Sequence, residues 1–524
     1  MHRRLLDFRL LGIAALAAGA QLFAACVIPA RAMEGEGAQA IQWPTKSWPV
    51  STPEEEGMDS AGLARLIETV GGYKQDSLMI IRHGKIVAEA YFAPFVPGIS
   101  HDLRSVTKSV VGTLTAIQLQ KGNLDSVDHP VMDLFADKDI QNVDDKKRAM
   151  TVQSLLDMTS GIQWIEKAYT PDETIMRMYN SPDRTAFVLN QPMAGAPGAS
   201  FNYNGGNPYL LSALINNKSG QNALDFARKE LFEPLGIKSA KWGTLDAQGV
   251  TDGEAGLYLS PHDMARFGYL YLRNGVWEGK QLIPPAWVER VKGGEVQATF
   301  GFHYANLWWS LPEKGAYMAR GRHSQLILVL PKLDVVAVMT GVLRDTEFYS
   351  PSSLIDDISR AVKSNEPLPA NPLATALLTT AIRQAATERP SAVGATPDLA
   401  KRISGKVYEL ADNVLHVKSF TLNFFDTDSS WEITTYTGKA DRPTDRFTGL
   451  VGLDGVYRKS PPAPYGINAA KGRWISDRAF TMDRRVLGRG EVQTWTLSFD
   501  GNKVTVNFEN TDGFRTELKG ETSE

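Results

Sequence analysis

Thiols are almost missing from this chain. One cysteine, Cys26, stands among 524 residues, so no intramolecular disulfide can staple the fold and a thiolate metal site lacks its ligands. The histidines, including His83, His101, His262, His303 and His323, show no His-x-x-x-His spacing, which leaves neither a metal nor any other cofactor called for. A Gly-x-x-x-x-Gly-Lys-Ser/Thr loop for nucleotide phosphates is also missing. Neither sign of charge dominates: 56 Lys and Arg face 59 Asp and Glu, a net charge of −3, and no basic run is interleaved with aromatics. That balance excludes nucleic acid as an expected partner. Beyond the first 32 residues, no apolar run approaches the ~20 residues that a membrane-spanning helix needs.

What is present begins at the N-terminus. Met1-His2-Arg3-Arg4, an apolar stretch from Leu10 to Ala25 and Ala30-Arg31-Ala32 match the charged, apolar and small-residue parts of a secretory signal. Cleavage is expected after Ala32, giving a periplasmic or secreted protein. Removing this segment takes the formal charge to −6 and removes Cys26, so stability must come from the core alone. An alternative reads Leu22-Phe23-Ala24-Ala25-Cys26 as a lipoprotein signal acylated at Cys26, a pattern that Phe23 fits poorly. Arg3-Arg4 gives only a weak hint of twin-arginine export.

Apolar content of 43% and charged content of 22% are those of an ordinary globular protein. The length exceeds the ~250–300 residues at which one core stops growing, so two or three units are expected. Leu78–Ile81 and Ile86–Tyr91 read as a hairpin around Arg82-His83-Gly84-Lys85. From Arg104 to about Gly236 the pattern is mostly helical, and a further helix is expected over Pro261–Asn274. Strand-like runs return at Leu307–Ser310, Leu326–Leu330 and Val335–Met339, followed by a closing helix over residues 351–363. This order predicts an α+β unit over residues 45–363, in which a central antiparallel sheet built from both chain ends carries an inserted helical region. Residues 364–400 read as a linker with a helix over Pro372–Glu388. Residues 401–524, with short alternating runs such as Trp495–Phe499 and Lys503–Phe508 around Asp500-Gly501-Asn502, read as a small all-β domain.

Three segments carry chemistry. Ser105-Val106-Thr107-Lys108 places a hydroxyl and an amine at i and i+3, one face of a helix, where a low-dielectric setting would leave the amine neutral enough to help deprotonate the serine. Tyr203, in the loop Ser200-Phe201-Asn202-Tyr203-Asn204-Gly205-Gly206, is a candidate proton shuttle if a nearby ammonium stabilises its phenolate. Gly321-Arg322, leading into the Leu326–Leu330 strand, offers close approach and a backbone N–H, that of Arg322, to face an oxyanion opposite the N–H of Ser105. The side chains of Arg320, Arg322 and His323 are expected to be solvated, and Trp308 and Trp309 to pack as core.

Taken in order, Ser105-x-x-Lys108, Phe201-Asn202-Tyr203-Asn204-Gly205 and the Gly321 strand resemble the serine β-lactamase-like hydrolases. The resemblance is to the branch holding class C β-lactamases, D,D-peptidases, esterases and 6-aminohexanoate-dimer hydrolases, and it extends over about residues 45–363. It implies that Ser105 forms an acyl-enzyme, Lys108 lowers its pKa and Tyr203 returns the proton to the leaving group. Two departures stand out: Gly205 replaces the asparagine of Tyr-x-Asn, and Ala319-Arg320-Gly321 replaces Lys-Thr-Gly. The missing lysine, which helps hold a β-lactam carboxylate, turns the expected substrate toward a small-molecule carboxylic ester or simple amide. A non-hydrolytic binding or sensor protein on the same fold, and a peptidoglycan-directed D,D-peptidase, are the alternatives. The β domain is left with three possible roles: capping the cleft, self-association or binding a surface polymer.

Overall fold

The computed structural model describes residues 42–523 apart from 244, 345–346, 348, 426–427, 437–444 and 464–465. The expected signal, its cleavage point and Cys26 lie outside the described residues. The fold is an α+β unit followed by an all-β barrel.

The first unit is organised by an eight-stranded antiparallel sheet. Its strands are β1 (Gln75–Arg82), β2 (Lys85–Tyr91), β3 (Val296–Gln297), β4 (His303–Ala305), β5 (Trp308–Leu311), β6 (Ala316–Gly321), β7 (Gln325–Leu330) and β8 (Val335–Gly341). They lie in the order β2-β1-β8-β7-β6-β5-β4-β3, so both chain ends meet at the β1–β8 pairing. The β1–β2 hairpin forms as expected. Its turn residues His83 and Gly84 have φ of 49° and 77°, the left-handed pair that a tight hairpin with native twist requires.

Both sheet faces are covered, which explains why β1 and β8 read as continuous apolar runs instead of alternating ones. Leu78, Ile80, Leu328 and Ala337 pack with Leu63 and Ile67 of α1 (Ser60–Gly71) and with Leu354 and Ile358 of the closing helix Pro351–Ala361. Met79, Ile81, Ile327 and Val336 face the other way, onto Val106, Val110 and Leu114 of α2 (Val106–Gln120). The helix expected after residue 364 spans Pro372–Ala385. It is docked, not free: Leu378 and Ala381 join the α1 side of the sheet.

From Val407–Leu410 to Arg515–Glu521, ten strands form two antiparallel meanders. A pairing of Gly452 with Lys471 closes them into a barrel. Trp495, Leu497, Phe499, Val504, Val506 and Phe508 fill its interior at every second position.

Candidate active site

Ser105 stands at the head of α2, after a sharp turn. Arg104, just before it, has φ of 49°, a left-handed conformation that a non-glycine residue adopts only under constraint. Its backbone N–H donates to Asp102 Oδ1 at 3.0 Å, which fixes the turn. The Ser105 hydroxyl oxygen does not cap the helix. It accepts instead from Lys108 Nζ at 2.8 Å.

Lys108 is fully buried, and the structure corrects its expected charge state. Its ammonium also donates to the Glu254 backbone oxygen at 2.8 Å and to Glu254 Oε2 at 2.7 Å. Burial alone would lower the amine, but the Glu254 carboxylate outweighs it and, with Tyr203 and Glu166, holds Lys108 well above the ordinary lysine value. Glu254 answers in kind: burial opposes its charge, yet Lys108 and a hydrogen bond from Tyr179 keep it below the usual carboxylate range. The amine is therefore an ammonium that donates to Ser105, not a neutral base that accepts from it.

Tyr203 lies against this group. The Lys108 ammonium is 5.0 Å from its ring centroid, and Trp309 stacks on it with centroids 5.9 Å apart. Burial pushes the phenol up, while Lys108 and a hydrogen bond with Ser105 pull it back without cancelling the rise. Next to it, the position of the missing asparagine is filled from another loop. A β-carbon on Gly205 would meet Glu166 Oε2 at 2.9 Å. That carboxylate accepts from Gly205 N at 2.6 Å, Trp164 Nε1 at 2.9 Å and Tyr169 Oη at 3.2 Å. Burial raises Glu166, with Lys108 opposing and Glu254 adding to the rise.

Gly321, the last residue of β6, abuts the serine turn. A β-carbon there would sit 2.3 Å from Leu103 O and 3.1 Å from Ser105 N. Only glycine lets this strand approach so closely. Arg322 begins the short turn Arg322–Ser324, in which His323 and Ser324 have φ of 64° and 71°. Ser105, Tyr203, Gly321 and Arg322 line one cleft of about 820 Å³. Lys108 lies buried behind Ser105, so the five residues singled out from the sequence meet at one place.

Three side chains expected in solvent are engaged. Arg320 lies over Phe302 at 4.7 Å and Trp309 at 5.5 Å. Arg322 pairs with Asp512 at 3.1 Å and lies over Tyr169 at 4.9 Å, and His323 is buried 3.0 Å from the same Asp512. The tryptophan pair divides: Trp308 is core, packed at a tilt on Tyr271 with ring centroids 4.2 Å apart, whereas Trp309 lines the cleft. Glu166, Tyr169, Tyr179 and Glu254 were not foreseen, because no spacing pattern ties them to Ser105.

The chain is similar to several known proteins. The sequence model of a family described as Beta-lactamase matches residues 63–346. A 6-aminohexanoate-dimer hydrolase from Paenarthrobacter ureafaciens is 25% identical over 312 residues, covering 55% of this chain and 78% of the relative. Among solved structures, EstCE1, a hydrolase with promiscuous acyltransferase activity, is 15% identical, with a TM-score of 0.47 over 62% of this chain and 99% of its own. A penicillin-binding protein homologue from Caulobacter crescentus is 16% identical, with a TM-score of 0.44 over 62% of this chain and 97% of its own.

Proposed function

This chain belongs to the beta-lactamase family and is a serine hydrolase, and on that premise we propose that it is exported and cleaves a carboxylic ester or small amide through an acyl-Ser105 intermediate. The carrying observation is the 2.8 Å contact of Lys108 Nζ with Ser105 Oγ beside a cleft that Tyr203 also lines. In this reading residues 1–32 are the export signal, 45–363 the catalytic domain, 364–400 the connecting segment and 401–524 the barrel domain.

Attack forms the bond from Ser105 Oγ to the substrate carbonyl carbon. The serine proton passes to the Tyr203 oxygen in its phenolate form, a minority form that the Lys108 ammonium stabilises. The carbonyl oxygen gains the electron pair and lies between the backbone N–H groups of Ser105 and Arg322. Collapse breaks the bond to the alcohol or amine, which takes the proton back from Tyr203. Water then repeats the sequence on the acyl-enzyme and releases the acid.

The 6-aminohexanoate-dimer hydrolase relative and the aromatic cleft wall of Trp309 and Phe302 support an ester or small amide. Ala319, where the β-lactamase pattern has lysine, argues against efficient β-lactam binding. The Gly205 and Ala319 departures, which favour a non-hydrolytic protein, leave the contact between serine and lysine intact. The test is labelling of the mature protein by a fluorophosphonate together with turnover of short p-nitrophenyl esters. Both should vanish in Ser105→Ala. Retained turnover in that variant refutes the assignment, and covalent labelling by penicillin at a comparable rate moves it to a D,D-peptidase.

A further inference from the structure

The barrel is not a separate appendage hung on the hydrolase unit. Arg485, on its strand Ala479–Val486, reaches Asp76 at the start of β1 with 2.7 Å contacts to both carboxylate oxygens, and His101 Nε2 lies 3.0 Å from the same carboxylate. Asp76 and His101 are fully buried and Arg485 nearly so. Burial opposes a charge on Asp76, but Arg485 and His101 hold its carboxyl below the usual range. These short contacts to both carboxylate oxygens tie the barrel to β1 through a buried ion pair.

From that seat, two barrel turns reach the two backbone segments whose approach makes the oxyanion site. The turn at Gly488–Arg489 accepts from Asp102 N at 2.6 Å and from the Arg104 guanidinium at 3.4 Å, bracketing the bend before Ser105. Gly488 has φ of 85°, and a β-carbon there would lie 2.2 Å from Ser100 O. The hairpin turn between strands Lys503–Asn510 and Arg515–Glu521 places Asp512 against Arg322 and His323, on the far side of Gly321. A cavity of about 630 Å³ is lined by Ser105, Tyr169 and Glu254 from the hydrolase unit and by Asp512, Phe514 and Arg515 from the barrel. Phe514 is 45% exposed, so much of its surface remains accessible.

We propose that this barrel hairpin is part of the active site: Asp512 is a positioning residue for the Gly321–Ser324 strand end, and Phe514 is a specificity-determining wall of this second cavity beside Ser105. The assignment rests on the acyl-Ser105 reading above. His323 and Ser324, both left-handed, are tied to the hydrolase unit by His323 Nδ1, 2.7 Å from Leu343 O, and by Gln75 Nε2, which donates to Ser324 Oγ at 3.1 Å, and the Arg322 side of the turn is held from the barrel. Asp512 does so by its contacts with the Arg322 guanidinium at 3.1 Å and the His323 ring at 3.0 Å. Phe514 meets whatever part of the substrate extends from Ser105 past Tyr169.

The test uses the full chain and p-nitrophenyl esters from acetate to octanoate. Asp512→Asn should lower kcat roughly tenfold with KM within about twofold, a fraction of the 10²–10³ that loss of an oxyanion donor costs. Asp512→Glu should restore part of it, a rescue that general loosening of the hairpin would not give. Phe514→Ala and Phe514→Trp should shift the chain-length preference in opposite directions, by about tenfold between the shortest and longest esters. Lys503→Ala, at the remote end of the same hairpin, should match wild type. The two readings fail separately. Turnover that survives Ser105→Ala defeats the serine assignment. Ser105-dependent turnover with wild-type kcat in Asp512→Asn and an unchanged chain-length profile in both Phe514 variants overturns the hairpin's role.

Discussion

Gly321→Ala is the sharpest probe of how the site is assembled. Gly321 has φ of −133° and ψ of 159°, which alanine adopts without strain, so the perturbation is purely steric. The added carbon would lie 2.3 Å from Leu103 O, whereas carbon–oxygen contacts settle at about 3.3 Å or more. The end of β6 must therefore retreat by about 1 Å from the serine turn. Both partners are backbone, held by the sheet on one side and by α2 on the other, so neither yields as a flexible side chain would. A displacement of about 1 Å at a reacting centre costs about 10²-fold in rate, equivalent to about 2.7 kcal/mol of barrier. Overpacking of this size also costs about 1–3 kcal/mol of stability, too little to unfold a domain with this core. The assay is kcat/KM on a p-nitrophenyl ester beside the rate of fluorophosphonate labelling, both of which depend on an oxyanion-like intermediate. Gly394→Ala, where a β-carbon meets nothing within 4 Å, is the control. A Gly321→Ala enzyme within threefold of wild type in both assays would show that the strand end does not serve the oxyanion.

Because burial raises the Tyr203 phenol and its basic form is the one required, kcat/KM for an ester should climb with pH from 6 to 9; a plateau reached below pH 8 contradicts Tyr203 as the base. Glu254→Gln leaves the buried Lys108 ammonium without its counter-charge, so urea unfolding should register a loss of about 3 kcal/mol, and a change under 1 kcal/mol would mean the pair is not a charged one. With Lys108 raised and Glu254 lowered, the stabilisation from this pair is complete between about pH 4.5 and 10. It fades as pH falls through the depressed Glu254 value or rises through the elevated Lys108 value, a window that Glu254→Gln should abolish in the stability–pH curve. Arg485→Met strips the buried Asp76 carboxylate of its guanidinium and should cost about 3–5 kcal/mol, read as a lowered thermal midpoint and faster proteolysis at the joint between barrel and hydrolase unit.

What could be read from the sequence follows the range of the interactions. Ser105 and Lys108 are one helical turn apart, so local geometry alone brings them together once α2 forms. Gly321 was readable because close backbone approach demands glycine whatever the partner. Tyr203 was readable by type and loop context. The charge of Lys108 was not readable, because it depends on Glu254, 146 residues away, and on Tyr179, a further long-range partner of that carboxylate. The sequence pattern assigned Arg322 and His323 to solvent for the same reason. Their common partner, Asp512, belongs to the barrel, and nothing in the spacing of either segment announces the other.

The replacement of the family asparagine by Gly205 is better understood as a relocation than as a loss. Removing the side chain opens space into which the Glu166 carboxylate enters, held by Gly205 N, Trp164 Nε1 and Tyr169 Oη. A polar group is thus retained beside Tyr203, but it now carries a titratable proton. Two buried carboxylates lie near one ammonium, and their environments shift them in opposite directions: Glu254, in direct contact with Lys108, is held below the usual carboxylate range, while burial raises Glu166, which has no such contact. Glu254 thereby anchors the Lys108 ammonium 5.0 Å from the Tyr203 ring centroid. Glu166 thus supplies, beside the Tyr203 loop, the acceptor for Gly205 N, Trp164 Nε1 and Tyr169 Oη at the place an asparagine side chain would otherwise occupy.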